Sequence, residues 1–249
     1  MPTIAENRNV WTQYEWSGQG DEWSSVWGGT SFLWWGMLFP RLHGFLPAKS
    51  VLEIAPGFGR CTQFLARFSE RLVVVDLNQR CIDACRERFR ASSHLEYHVN
   101  DGRSLDMVKD GTVDFAFSYD SLVHAEGDVL DDYVSELGKK LAPDGIAFIH
   151  HSNLGAFLDP KTGALPFENA HWRATTMSAS RLESRCATTD LACVGQELIT
   201  WGGPHLSDCF SLLTRRGSRW ERKNTIHENL GFMDEAKSIA SMASLYRLG

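Results

Sequence analysis

An α/β fold, with a doubly wound and mostly parallel sheet, is what the 249-residue sequence predicts. Three observations carry this prediction. Short apolar runs alternate with amphipathic helical patterns between residues 50 and 149, a spacing typical of parallel strands joined by helices. A glycine turn follows the first apolar run. Two later runs, at residues 191–201 and 208–214, have no helical pattern between them, which indicates an antiparallel edge.

Five apolar runs predict the parallel strands, and each ends at turn-forming or polar residues. They lie at residues 50–55, 71–76, 95–99, 113–119 and 146–149. Residues 95–99 alternate between apolar and polar side chains, whereas continuous apolar runs like the others are expected for strands that are buried on both faces of a sheet.

Apolar residues repeating at three- and four-residue intervals predict the helices that join these strands. Such patterns cover residues 61–68, 82–89 and 130–141, and another follows a long polar loop, near residues 179–188. Together the strands and helices indicate a Rossmann-like domain over residues 48–249.

The first 47 residues differ from the rest, because they hold six of the nine tryptophans. The helical spacing holds only locally, so we expect a Trp-rich cap or lid at residues 1–47 that is not a domain by itself. Large aromatic side chains at this density either pack onto the core or wall a ligand cleft, and both can be true. The six are Trp11, Trp16, Trp23, Trp27, Trp34 and Trp35.

Composition excludes several classes of function. The net charge of -6 argues against nucleic acid as the main partner and suits a cationic ligand. No apolar run is long enough to cross a membrane, so we expect no membrane partner. The six cysteines form no CxxC pair, and the N-terminus has no signal-peptide pattern, so we expect a cytoplasmic protein.

The turn after the first predicted strand is the candidate cofactor site, since ligands of open α/β sheets bind beyond the carboxyl ends of the strands. Gly57 and Gly59 let the backbone approach a ligand closely. Asp76, which closes the next strand, can accept hydrogen bonds from ribose hydroxyls. The dinucleotide GxGxxG pattern is incomplete because Thr62 occupies its third glycine position. Glu53, just before the turn, fits an ammonium group better than a phosphate.

The run Val51-Leu52-Glu53-Ile54-Ala55-Pro56-Gly57-Phe58-Gly59 resembles the first motif of class I S-adenosylmethionine-dependent methyltransferases, which usually have glycine where Ala55 stands. The resemblance implies S-adenosylmethionine (SAM) as cofactor, with Asp76 on the ribose and Asp101-Gly102 beside the adenine. The donor-binding residues that it implies are Glu53, Ala55, Gly57, Gly59, Asp76, Leu77, Asp101, Gly102 and Tyr119.

Ionisable residues follow the fourth and fifth predicted strands. Asp120 and His124 would share a face if a helical turn began at Asp120, and His150, His151 and Asn153 end the fifth strand. Such a set can bind a divalent cation, Mg²⁺ or a similar ion, or can act as a base with an orienting acid. Because side chains alternate along a strand, one of the two adjacent histidines should face the cleft, and we favour His151.

Several stretches resemble TDP-hexose O-methyltransferases of antibiotic biosynthesis, in particular those of the enediyne (calicheamicin) pathways that methylate TDP-rhamnose at the 3-hydroxyl. The stretches are residues 119–124, 149–153, 171–173 and 208–211. The resemblance implies a sugar or nucleotide-sugar acceptor.

From these stretches we take His124 as the general base, with Asp120 and His171 as further catalytic residues. The metal ligands would come from Asp120, His150, His151 and Asn153, and Arg173 and Arg181 could clamp a diphosphate. The alternatives are a metal-independent enzyme that methylates phenols, or a methyltransferase-like subunit without catalysis. A homo-oligomer is compatible with each.

Overall fold

The structure is a computed structural model that describes residues 3–246. Within this range eight strands form one sheet in the order β3-β2-β1-β4-β5-β7-β6-β8. The strands are β1 Ala48–Ile54, β2 Ser69–Asp76, β3 Leu95–Val99, β4 Val113–Ser118, β5 Leu141–Ser152, β6 Leu191–Ile199, β7 Asp208–Arg215 and β8 Ile226–Asn229.

Strands β1 to β5 are parallel, whereas β7 runs antiparallel to both β5 and β6. The predicted mostly parallel sheet with an antiparallel C-terminal edge is confirmed. Strand β8, which pairs parallel to β6, was not predicted, because its residues Ile226–Asn229 are mostly exposed and carry no apolar run.

The helices are α1 Ile4–Gln13, α2 Thr30–Phe32, α3 Phe39–Leu42, α4 Thr62–Leu65, α5 Gln79–Arg88, α6 Gly127–Lys140, α7 Ala179–Ala187 and α8 Phe232–Leu245. A π-helical stretch, Leu33–Leu38, joins α2 to α3. The predicted helix at residues 61–68 is only one α-helical turn, α4, followed by the 3-10 turn Ala66–Phe68. No helix among residues 3–246 is long and apolar enough to cross a membrane.

Two apolar clusters cover the two faces of the sheet, as expected for buried parallel strands. Helices α6 and α7 pack on one face, where Leu130, Tyr133 and Leu137 are buried at helical spacing. The opposite face is covered largely by the N-terminal segment.

The tryptophans of the N-terminal segment divide between the core and the cleft. Trp27 and Trp34 are fully buried in the core, and Trp34 stacks on Phe64 with ring centroids 4.9 Å apart. Trp11, Trp16 and Trp23 instead line a cavity that also contains the turn after β1. Since both expectations hold for different residues, the segment is core and cleft wall at once.

Candidate functional site

A cavity of about 350 Å³ lies beyond the carboxyl ends of β1, β2 and β4. The sheet order explains this position: β2 and β3 lie on one side of β1, and β4 and β5 lie on the other, so the chain leaves a crevice at the switch point. The volume is that of a small-ligand site, and tryptophans of the N-terminal segment close it from outside.

The turn after β1 lines this cavity and has an unusual backbone. Ala55 and Gly57 both adopt φ of 57°, in the left-handed region. A side chain at Gly57 would also collide with Trp16, whose nearest ring atom would lie 2.9 Å from the added Cβ. Glycine is therefore required at residue 57. The left-handed backbone at Ala55 accounts for the glycine that the resembled family usually has there.

Two buried carboxyl groups stand beside this turn. Glu53 accepts a hydrogen bond from the Thr62 hydroxyl at 2.6 Å, and burial raises the pKa of Glu53 to about 8. Asp76 accepts from the backbone N–H groups of Gly57 and Asn78, at 3.3 and 2.8 Å, and burial raises its pKa to about 7. Both groups line the cavity, where a ligand with hydroxyl or ammonium donors would favour their ionised forms.

The other residues that were predicted to bind the methyl donor divide into those that line the cavity and those that do not. Leu77, Gly102 and Tyr119 line the cavity, as does Ala55. Gly59 and Asp101 are not among the lining residues.

Gly59 instead allows close packing, because a Cβ there would lie 2.5 Å from the Phe89 ring. The Asp101 carboxylate caps its own turn by accepting from the N–H groups of Arg103 and Ser104. The expected contact of residues 101–102 with an adenine is therefore available to Gly102 alone.

His124 lines the cavity in the 3-10 turn Leu122–His124. Its Nδ1 lies 2.9 Å from the carbonyl oxygen of Trp172, and a carbonyl only accepts, so Nδ1 carries the proton. Nε2 has no hydrogen-bond partner among the described residues and keeps its lone pair. Burial, reinforced by Arg173, lowers the pKa of His124 to about 4. The ring is therefore neutral at pH 7, and its centroid lies 5.4 Å from the ring centroids of Trp11 and of Trp172.

Asp120 is held between two guanidinium groups. Its Oδ2 lies 3.1 Å from Arg60 and its Oδ1 lies 3.4 Å from Arg173. Burial opposes ionisation, but the two arginines hold the pKa of Asp120 below its usual value. The backbone has φ of 58°, and its N–H donates to Nδ1 of His150 at 3.1 Å.

The side chains of the fifth strand have partners within the protein. His150 Nε2 donates to Asp208 at 3.0 Å, since its Nδ1 already accepts from Asp120. His151 donates from Nδ1 to the Ser152 carbonyl and accepts at Nε2 from the Ser211 hydroxyl. The Asn153 amide bridges the Leu206 carbonyl and the Ala179 N–H. None of these three side chains lines the cavity.

The predicted metal site does not fit this geometry. A cation at Asp120 would face two arginines, and the imidazole and amide groups of the other three predicted ligands are engaged with protein partners. Throughout residues 3–246, no group of three or more His, Cys, Asp or Glu side chains is placed to hold a metal ion. The four residues looked like ligands in sequence because the arginines that neutralise Asp120 come from other segments.

The loop after β5 reaches back over the cavity, where Ala170, His171 and Trp172 form part of the wall. The predicted diphosphate clamp is not formed. Arg173 is buried, with Nη2 2.9 Å from Asp208, and Arg181 pairs with Asp131 at 2.7 Å. Neither arginine is a lining residue, because each neutralises a carboxylate of another element.

Sequence reasoning missed three residues of this site. Arg60 lines the cavity and lies over the Tyr119 ring, 5.2 Å from its centroid. Its position directly after the glycine turn was the available signal. Asn7 of α1 donates to the His124 carbonyl at 3.0 Å, and Asp208 begins β7. Asp208 lies in the resembled stretch 208–211, but nothing local in the sequence indicates a role for either residue, since their partners lie 117 and 35 or more residues away.

Residues 51–145 match a family model described as a methyltransferase domain. No curated protein matches the chain. Three similar solved structures share its fold. A Pyrococcus horikoshii OT3 protein is 21% identical, with 72% of this chain and 88% of that one covered and a TM-score of 0.55. DhpI, in complex with SAH, is 16% identical, with 85% and 94% covered and a TM-score of 0.55. A SAM-dependent methyltransferase from Methanosarcina mazei is 17% identical, with 71% and 97% covered and a TM-score of 0.54.

The matched residues include the turn after β1, Glu53 and Asp76, which are the parts of the cavity that suit an adenosyl ligand. The motif, the sheet order and the family match agree with one another. Residues 51–145 are therefore similar to a methyltransferase domain, and the whole sheet has the fold of the solved structures named above.

Proposed function

We propose that the protein transfers a methyl group to a hydroxyl oxygen of a small, uncharged acceptor, and that this acceptor is a sugar. The observation that carries the proposal is His124: a neutral imidazole in the cavity wall, with its proton held at Nδ1 and its Nε2 lone pair left for a ligand. A hydroxyl needs such a group, because its proton must leave as the new bond forms.

The donor half of the cavity holds the ligand through the turn after β1. Glu53 and Asp76, both buried, are placed to accept hydrogen bonds from ammonium and ribose hydroxyl groups. Bound SAM supplies a methyl carbon that is electrophilic because it is attached to a positively charged sulfur. The protein's task is then to hold an oxygen in line with that carbon and to exclude water.

His124 removes the proton. As the O–CH₃ bond forms, the hydroxyl becomes strongly acidic, and Nε2 accepts its proton while the electron pair of the broken C–S bond stays on sulfur. A base whose pKa is about 4 is sufficient for this late transfer, and its neutral form dominates at pH 7. The indole rings of Trp11 and Trp172 pack against the imidazole and restrict its movement.

The cavity wall supports the proposal of a sugar acceptor. Trp11, Trp23 and Trp172 offer flat apolar faces, on which the C–H face of a sugar ring can pack. Arg60 and Asp120 are the charged groups of this wall, and they neutralise each other. The residues expected to clamp a diphosphate are engaged elsewhere, so an uncharged sugar or glycoside fits this wall better than a nucleotide sugar.

The test is label transfer from methyl-labelled SAM to a panel of free sugars, glycosides, TDP-sugars and simple phenols. We expect label in sugar hydroxyls. His124→Gln should lower kcat by about 10²- to 10⁴-fold, the usual contribution of a general base, and leave SAH affinity unchanged. His43→Gln is the control, since His43 is exposed and outside the cavity.

Label in phenols alone would contradict the sugar proposal. An unchanged rate in His124→Gln would refute the base assignment, and an absence of transfer to every acceptor would favour a binding subunit.

A further inference from the structure

A buried group of charges centred on Asp208 lies next to the part of the cavity wall that contains Asp120. This carboxylate is fully buried at the start of β7. It accepts hydrogen bonds from Nε of Arg173 at 3.1 Å and from Nε2 of His150 at 3.0 Å, and Nη2 of Arg173 lies 2.9 Å away. Arg173 and the hydrogen bond from His150 keep the pKa of Asp208 low despite its burial, so the group is ionised.

Arg173 connects this carboxylate to the cavity wall. Its side chain is buried and lies over the Trp201 ring, 5.0 Å from the centroid, so it reaches inward from the loop. Its backbone N–H donates to Asn169 at 2.8 Å, and the next N–H, of Ala174, donates to the Val123 carbonyl at 2.8 Å. Arg173 therefore anchors the segment that contains His171 and Trp172.

The position of Trp172 decides the state of His124. Trp172 has φ of 52°, which is unfavourable for a large side chain and must be maintained by surrounding contacts. Its carbonyl is the acceptor for Nδ1–H of His124. In a neutral histidine, the hydrogen bond made by one ring nitrogen determines which nitrogen carries the proton.

We infer that Asp208 is a positioning residue for the reaction. By anchoring Arg173 it holds the Trp172 carbonyl against Nδ1 of His124 and so keeps the lone pair on Nε2. The same carboxylate fixes His150, whose Nδ1 accepts the backbone N–H of Asp120 and supports its left-handed conformation. The catalytic consequence rests on the proposed role of His124, but the effect on its tautomer does not.

The test compares Asp208→Asn with the full-length wild-type protein by ¹⁵N NMR of ¹⁵N-histidine-labelled samples at pH 7. His124→Gln identifies the His124 signals by their loss. We expect wild-type His124 to be protonated at Nδ1 alone and the Asp208→Asn protein to show a mixture of tautomers. Its kcat should fall by at least about tenfold, with SAH affinity within about twofold of wild type, because the donor turn does not contact Asp208.

Glu197→Gln is the matched control, since Glu197 is a half-buried ion-pair partner of Arg41, 2.7 Å away and outside the cavity. It should leave the His124 signals and kcat unchanged. If Asp208→Asn does not fold, Arg173→Lys is measured in the same way. This variant keeps the positive charge but loses the paired contacts of Nε and Nη2 with Asp208.

A single Nδ1–H tautomer in the folded variant would overturn the inference. A tautomer change in a protein that methylates no hydroxyl would support the positioning role and refute the proposed function.

Discussion

At the scale of single residues, the site depends on carboxyl groups whose ionisation is set by their neighbours. Within residues 3–246 no cationic side chain forms an ion pair with Glu53 or Asp76, and burial raises their pKa values to about 8 and 7. Burial also opposes the ionisation of Asp120 and Asp208, but the arginines beside them keep their pKa values low. Burial alone therefore does not decide the charge of a carboxyl group in this molecule.

We predict that SAM and SAH bind more tightly as the pH rises from 6 to 8.5. In the ligand-free protein Glu53 and Asp76 are protonated below their raised pKa values, and a protonated carboxyl group is a poorer acceptor for hydroxyl and ammonium donors. Binding should release protons near pH 7. Calorimetry in buffers of different ionisation enthalpy measures both effects.

Glu53→Gln is the control for this pH effect, because it removes the group with the higher pKa and keeps its shape. The variant should bind SAH more weakly at pH 8.5 and should show a smaller dependence on pH. An affinity of the wild-type protein that stays level between pH 6 and 8.5 would contradict the prediction.

At the scale of elements, the N-terminal segment 3–47 is part of the core on one face of the sheet. Trp34 is fully buried against Phe64 and Phe117, while its neighbour Trp35 remains 47% exposed. The π-helical stretch Leu33–Leu38 buries four of its six residues, so it contributes to the core.

We predict that Trp34→Ala lowers the free energy of unfolding by about 3–5 kcal/mol, the usual cost of removing a large buried aromatic side chain. Urea denaturation followed by circular dichroism measures this loss. Trp35→Ala is the matched control and should cost less than about 1.5 kcal/mol, since half of its side chain is already in water. Equal losses in the two variants would mean that the segment does not contribute to the core as described.

At the scale of the whole molecule, the charged group next to the cavity wall is assembled from distant segments. Arg60, Asp120, Arg173 and Asp208 meet in one buried group with two positive and two negative charges. This group has no net charge that would attract a cation. It joins the turn after β1, which is followed by Arg60, to the loop after β5, which carries Arg173.

We predict that methyl transfer survives exhaustive treatment with EDTA. The reason is that Arg60 and Arg173 already neutralise Asp120 and would repel a divalent ion there. Label transfer before chelation, after chelation and after addition of Mg²⁺ measures the effect, with SAH affinity as a check on folding. Loss of activity on chelation that Mg²⁺ restores would contradict this prediction.

The sequence by itself determined the parallel sheet, its antiparallel edge and the turn after β1. These features depend on local patterns, namely apolar runs, helical spacing, and a glycine turn with an acid at the end of the next strand. Such patterns can be read from neighbouring residues without knowledge of the tertiary structure. Glu53, Gly57 and Asp76 were found in this way, and the structure places all three in the cavity lining.

Only the tertiary structure decided what the groups at the ends of β4 and β5 do. Asp120, His150 and His151 have the residue types of metal ligands, but the role of an ionisable side chain depends on the charges that folding brings beside it. For Asp120 those charges are Arg60, sixty residues before it, and Arg173, fifty-three residues after it. No local pattern contains such partners, because electrostatic interactions depend on distance in space and not along the chain.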